Sequence, residues 1–234
     1  MATIHKGSNA LSKKANTYLT LGILFWIPPI AYFIAFFQGF HFNGIFHLLP
    51  IVPGWIGTYF WRKYSTLRAG LSGEERTTEI LANLPEGYEV YSSVQLSTEE
   101  GRAELDHVIV GKNGVFVVEV KNHNGTITGN EEDRSWTQHK VGRKGGEYSK
   151  EMRNPVKQVR RQVHILSKHL SKNGTRVWVE GSVFFSNPQA EVYVETKKTP
   201  VFTSPYDLHE FLTNYKPRYN IKEAELETVK KLVS

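Results

Sequence analysis

ELDHVIVGKNGVFVVEVK, residues 104–121, is the stretch on which the fold turns. Two runs of Val, Ile and Phe, strand-like in composition, flank Gly111-Lys112-Asn113-Gly114, a strong hairpin signal. Glu119 and Lys121 stand two apart on the second run, so their side chains share a face. The turn decides what lies opposite them. If Gly111 pairs with Gly114, Asp106 faces Glu119. If Asn113-Gly114 is a two-residue turn, Lys112 pairs with Val115 and Asp106 faces Lys121. Either register sets Asp106 beside the Glu119–Lys121 pair. Two carboxylates and a lysine in so apolar a hairpin are costly unless paired or bound to a cation. Carboxylates this close suit a hard divalent ion such as Mg²⁺. A neighbouring ammonium can orient or deprotonate a water, which is the equipment for metal-assisted attack on a phosphodiester. The plain alternative is a cross-strand salt bridge at the exposed end of a hairpin.

Working outward, residues 63–83 carry a helical stripe of Leu67, Leu71, Ile80 and Leu81, interrupted by Gly70 and Gly73. Ser72 and Glu75 suit a capping box, which predicts a fresh helix near Gly73. Strand-like runs are expected at 88–96, 103–110, 115–120, 126–128 and 136–140. Asn154-Pro155 opens a helix to Leu170, with Asn154 as N-cap and Pro155 at the first helical position. Val156, Val159, Val163, Leu166 and Leu170 form its apolar face. Strands follow at 176–185 and 191–195, then two closing helices at 204–215 and 222–232. The expected class is α/β (α+β), a mixed sheet flanked by helices.

The amino-terminal quarter differs in kind. Residues 1–61 contain no Asp or Glu and three lysines, so half of the formal charge of +6 lies there. Residues 18–37, YLTLGILFWIPPIAYFIAFF, are uncharged and long enough to span a hydrocarbon core of about 30 Å. Residues 42–61 are also uncharged but weaker, with Pro50, Pro53 and His47. Lys6, Lys13 and Lys14 precede the pair; Arg62, Lys63 and Arg68 follow it. The excess of positive charge at both outer ends predicts a transmembrane hairpin with both ends in the cytosol. The expected division is residues 1–64 as arm and hairpin, 65–200 as the main domain, and 201–234 as helices packed on it. The expected location is the cell membrane, multi-pass, with the soluble part in the cytoplasm.

The absence of cysteine excludes disulfides, thiolate nucleophiles and Cys-ligated zinc. No Walker motif occurs, so no nucleotide cofactor is expected. The soluble part is only mildly basic, which permits nucleic-acid contact without announcing it.

The run Asp106–Gly111, Gly114–Asn122 and Gly125, together with Gly70–Glu74, Trp136 and Asn154-Pro155-Val156-Lys157-Gln158, resembles the nuclease-related (NERD) domain. That domain is related to the PD-(D/E)xK nucleases, and the likeness covers residues 65–170 in the family's order. The resemblance implies a restriction-endonuclease-like core and a Mg²⁺ (or Mn²⁺) site made by Glu74, Asp106 and Glu119. Glu119 and Lys121 match the E-x-K pair, and Gln158 matches the helix glutamine after Asn-Pro. Leu105 stands where the superfamily has its proline. The function so implied is hydrolysis of DNA phosphodiesters at the cytosolic membrane face. The alternative is a catalytically inactive module that binds nucleic acid or protein. Lys157, Arg160 and Arg161 on the polar side of the Pro155 helix, with Arg143, Lys144 and Lys150 in a Gly-rich loop, are candidate phosphate contacts. His123 is a weaker candidate for the metal region, and Trp136 reads as core.

Overall fold

A computed structural model describes residues 1–7, 9–40, 43–99, 101–142, 145–217, 219 and 221–234. Contacts divide the chain into two compact units, Asn9–Leu71 and the combination of Met1–Ser8 with Ser72–Ser234.

The first unit holds α1 (Ala10–Phe37), a 3-10 helix (Gly44–Leu48) and the start of α2 (Ile51–Ala82). Asn9 caps α1 by accepting from the Ser12 amide at 3.1 Å. The two helices run antiparallel: Tyr18 and Phe25 meet Phe60, Pro29 lies against Gly54, and Tyr32 lies against His47. Gly22 and Gly57 allow this approach. A Cβ on Gly57 would stand 2.7 Å from the Trp26 ring, the small-residue device common to helices outside water. Among the described residues one helix, α1, is long and apolar enough to cross a membrane. The described part of the second apolar segment, 43–61, is not one helix: it divides between the 3-10 turn and the first turns of α2, while residue 42 lies outside the described residues.

The second unit is a mixed α+β body. A six-stranded sheet has the order β1 (Thr3–Lys6), β2 (Glu89–Thr98), β3 (Gly101–Gly111), β4 (Gly114–Lys121), β8 (Val179–Phe185), β10 (Val201–Phe202). β2, β3 and β4 form an antiparallel meander, while β1, β8 and β10 join in parallel. A four-stranded sheet has the order β7 (Glu147–Arg153), β6 (Ser135–Val141), β5 (Gly125–Asn130), β9 (Ala190–Glu195). Helix α3 (Pro155–Lys172) completes the crossover from β4 to its parallel neighbour β8, and α4 (Pro205–Asn214) and α5 (Glu223–Val233) close the chain.

Both faces of the large sheet are covered, so β3 and β4 read as near-continuous apolar runs. On one face Ile109, Phe116, Val118 and Phe184 pack with Leu81 and Leu84 of α2 and Leu208 and Leu212 of α4. On the other, Val108, Val110, Val115 and Val117 pack with α3, α5 and the small sheet, through Val159, Leu166, Val229, Ile127 and Trp136.

Three strands lie outside the sequence expectation. β1 and β10 are short edge strands that carry little pattern, and β7, EYSKEMR, is exposed at all but Met152. The expected break at Gly73 is also absent, because α2 is continuous through it. Ser72 does not cap a helix; its Oγ accepts from Asn122 Nδ2 at 3.1 Å. Gly73 is there for proximity, since a Cβ would stand 2.6 Å from Asn122 Cβ and 2.9 Å from Ser186 Oγ. Gly70, by contrast, has nothing within 4 Å of that position.

These two glycines predict opposite outcomes. Gly70→Ala should raise stability by up to about 1 kcal/mol through helix propensity, whereas Gly73→Ala should lower it by roughly 1–3 kcal/mol through overpacking. Thermal melts of the two variants check the pair.

Candidate active site

The hairpin adopts the first of the two registers, with Gly111 opposite Gly114 and His107 opposite Val118. Asn113 explains the choice. Its Nδ2 donates to the carbonyl of Leu212 at 2.8 Å, and its Oδ1 accepts from the Tyr88 hydroxyl at 2.7 Å. Its φ is not positive, as the two-residue type I′ turn would require.

Continuing that register sets Asp106 opposite Glu119, but the ladder stops one pair short. The Asp106 carboxylate instead accepts from the Val120 amide through Oδ2 at 2.7 Å. The pairing with β2 is interrupted at the same residue: Ser92 pairs with His107 and Val94 with Leu105, leaving Ser93 and Asp106 unpaired between them. Ser93 has φ +57°, the left-handed region, alone among the described non-glycine residues. The inward–outward alternation shifts by one residue there on both strands. Val90 packs on one face and Val94 and Leu96 on the other; Val108 and Val110 share a face with Leu105 and Ala103. This double irregularity aims Asp106 at its neighbours, as bulges next to functional sites do.

Glu119 is 1% exposed. Its Oε1 pairs with the Lys121 ammonium and its Oε2 accepts from Gln162 Nε2 at 2.6 Å. Lys121 Nζ also donates to Gln158 Oε1 at 3.1 Å. Gln158 and Gln162 are one turn apart on α3, so one helix face grips both ends of the Glu119–Lys121 pair. Sequence reading missed Gln162, although the four-residue spacing from Gln158 was the available signal.

Asp106 keeps some accessible surface as a residue, yet atoms crowd its carboxyl group. Burial first, then the charge of Glu119 and more weakly that of Glu74, push its pKa well above the ordinary carboxylate range; Lys121 and the Val120 amide act against this. The locale thus carries more negative than positive charge. Glu74 is placed by the Gly73 approach and acts on Asp106 through charge. Among the described residues no three His, Asp or Glu side chains stand in a metal-ligating arrangement. The cation on Glu119 is Lys121. The donor set nevertheless fits a hard divalent ion: carboxylate oxygens, a negative excess, and Gln162 Oε1, buried without a hydrogen-bond partner.

His107 points away from Asp106 and is fully buried. Its Nδ1 lies 3.0 Å from Ser92 Oγ, and burial depresses its pKa to about 4. His123 sits beside the site on the small sheet's side, its Nδ1 3.2 Å from Gln138 Oε1. Trp136 is core: 1% exposed, it stacks on Phe185 and donates to the Asn130 carbonyl at 2.8 Å. Asn154 accepts from Val156 N and donates to the carbonyls of Asn130, Glu131 and Asp133, which fixes α3 to the small sheet.

The basic candidates divide. Arg160 is committed to Glu131 at 2.7 Å and Thr199 at 3.0 Å, and Lys157 Nζ to the Glu132 carbonyl at 2.5 Å. Arg161 is exposed on α3. Lys150 lies on β7 instead of in the loop. Arg143 and Lys144 lie outside the described residues.

In this mixed α+β core, Asp106 and a Glu-x-Lys pair meet at a break in the central strands. The nuclease-related domain (NERD) model matches residues 69–186, half of the chain, and the chain belongs to that family. It is also 41% identical over 71 residues to an uncharacterized protein of Bacillus anthracis, a stretch covering 30% of this chain. The chain spans about a third of that relative's length, 34%. No solved structure matches.

His107 gives the site an acid-sensitive neighbour. The unfolded chain binds its proton below the ordinary value of 6.5, whereas the folded one binds it only near 4. Stability is therefore fully present above pH 6.5 and lost as pH falls towards 4, by about 3 kcal/mol from this group. His107→Gln should remove that part of the acid loss. Denaturant unfolding of both proteins across this pH range checks it.

Proposed function

We propose that this chain is a membrane-anchored, metal-dependent nuclease that hydrolyses DNA phosphodiesters at the cytosolic face. The observation that carries the reading is the meeting of Asp106, Glu119 and Lys121 under Gln158 and Gln162, with a negative excess that raises the Asp106 pKa.

Asp106 and Glu119, with Glu74 as third carboxylate, would hold Mg²⁺ or Mn²⁺, which when bound polarises the phosphodiester and acidifies water. Lys121 has three N–H donors, and Glu119 and Gln158 take two directions. The remaining donor orients the attacking water or meets charge developing on the phosphoryl oxygens. Gln158 holds Lys121 in place, and Gln162 performs the same office for Glu119. Arg161 on α3, with Arg143 and Lys144, remains as a candidate contact to the DNA backbone. Lys157 and Arg160 would have to give up present partners to join them.

The anchor reading rests on exposure. A helix in a soluble core is mostly buried, whereas only 11% of the α1 window is. Ile23, Leu24, Ile27, Ile30, Phe33 and Ile34 are each more than half exposed, an apolar surface that a soluble protein seldom leaves uncovered. The antiparallel return of residues 44–61 along α1 supports a hairpin with both ends cytosolic, beside the flanking lysines and arginines.

One observation favours a binding module without turnover: Lys121 already neutralises Glu119, and among the described residues no three His, Asp or Glu side chains form a metal-ligating group. The full chain in detergent decides between them. With Mg²⁺ or Mn²⁺ it should cleave linear, circular or single-stranded DNA, and Asp106→Ala or Lys121→Ala should lose at least about a hundredfold in rate. Intact DNA with every metal, from a folded protein, would assign the binding role.

The hairpin has its own check, made simple by a chain without cysteine. In intact cells, Gln38→Cys should react with an impermeant thiol reagent and Lys222→Cys should not. The reverse pattern, or no difference, would overturn the topology.

A further inference from the structure

The small sheet sorts its charges by face. Register puts Gln138 opposite Lys150, Lys140 opposite Tyr148 and Trp136 opposite Met152, so these six share one side of the β6–β7 hairpin. Ile127 and Val192 continue that side across β5 and β9. Glu147, Glu151, Glu191 and Glu195, all the acidic residues of the four strands, fall on the other side, with His139 and Arg153. The inward side is therefore apolar where it meets the core, at Ile127, Trp136 and Met152, and purely cationic beyond it, at Lys140 and Lys150. A solvated sheet face without function would mix both signs for solubility.

The cationic end adjoins the candidate active site. Gln138, 2% exposed, accepts from His123 Nδ1 through its Oε1 at 3.2 Å and donates through its Nε2 to the Asn124 carbonyl at 2.7 Å. His123 follows Lys121 by two residues, and the ammonium groups of Lys121, Lys140 and Lys150 all act on its imidazole. Gln138, which holds the His123 ring, pairs with Lys150 and lies two residues before Lys140, so both lysines stand on the imidazole's side of the small sheet, a side whose strands carry no carboxylate.

We propose that Lys140 and Lys150 form a backbone track, continuous with Lys121 past His123, that holds the phosphates of the nucleic-acid strand beyond the scissile position. The inference rests on the nuclease-like reading of the site. It adds which surface of the domain the strand follows. Such contacts neutralise phosphates without reading bases, so the track binds irrespective of sequence and weakens with salt.

The test measures binding of the full chain in detergent micelles to fluorescein-labelled oligonucleotides, single-stranded and duplex, without divalent ions, across a salt series. Lys140→Gln/Lys150→Gln should bind about tenfold more weakly at low salt, and its slope of log affinity against log salt should shrink by about 1.5. Lys140→Arg/Lys150→Arg should keep the original slope. Lys197→Gln/Lys198→Gln removes the same charge elsewhere and should leave the slope nearly unchanged. An unchanged slope in the first variant, or an equal loss in the Lys197/Lys198 variant, overturns the track while leaving the nuclease reading standing. Failure of the unaltered protein to bind either oligonucleotide overturns both.

Discussion

Glu119 is a carboxylate with 1% exposure in the middle of a sheet covered on both faces. An isolated charge there would be costly by several kcal/mol. The surrounding architecture answers that cost. Lys121 follows it on the same strand face, Gln162 donates to its other oxygen, and Gln158 steadies the lysine. Both glutamines need α3 against β4 and β8, and α3 is fixed by Asn154, which ties its first turn to three carbonyls of the β5–β6 turn. The small sheet, the helix and the central strand are therefore coupled through a single acidic residue. Asp106, one strand away, has its carboxyl group buried beside the Glu119 charge, and burial first, then that charge, raises its pKa.

Sequence pattern revealed those parts in which local chemistry and tertiary structure agree. The Asp106–Lys121 hairpin, the Asn154-Pro155 helix start, the apolar face of α3 and the two closing helices are instances. It failed where the two disagree. Ser72 and Glu75 have the form of a cap, but the helix continues: Asn122 engages Ser72, and Asn122 and Ser186, just past the ends of β4 and β8, close against Gly73. β7 alternates no apolar residues except Met152 and forms only because β6 offers its edge. The face reversal at Ser93 has no local signal, since serine is not a residue that favours positive φ. Of the candidate site, the acidic pair and Lys121 were legible. Gln162 carried one signal, its four-residue spacing from Gln158, but a polar residue on an apolar helix face looks like an interruption until its partner is known. The commitment of Arg160 to Glu131 and Thr199 was hidden for the same reason: both partners are distant in sequence.

The small sheet shows how one layer can serve two ends. At Ile127 and Trp136 it covers α3 and the large sheet; farther out, the same face carries lysines. The change occurs at Gln138, which is buried and polar and touches His123. A polar residue at this boundary satisfies the backbone of Asn124 and holds the edge of the site at a defined distance from the strand that supplies it.

β1 pairs in parallel with β2, Thr3 against Glu89 and Lys6 against Ser92, across more than eighty residues of chain. It precedes both apolar segments in the chain, and its partner emerges only after they have been made. Until then its backbone donors and acceptors have no ladder to join. β1 can join the sheet only once β2 has been made, so this edge is closed across the whole of the intervening apolar segment pair. A nascent chain stalled before β2 would expose an unpaired amino-terminal strand, and that interval is when quality-control machinery would have most to recognise.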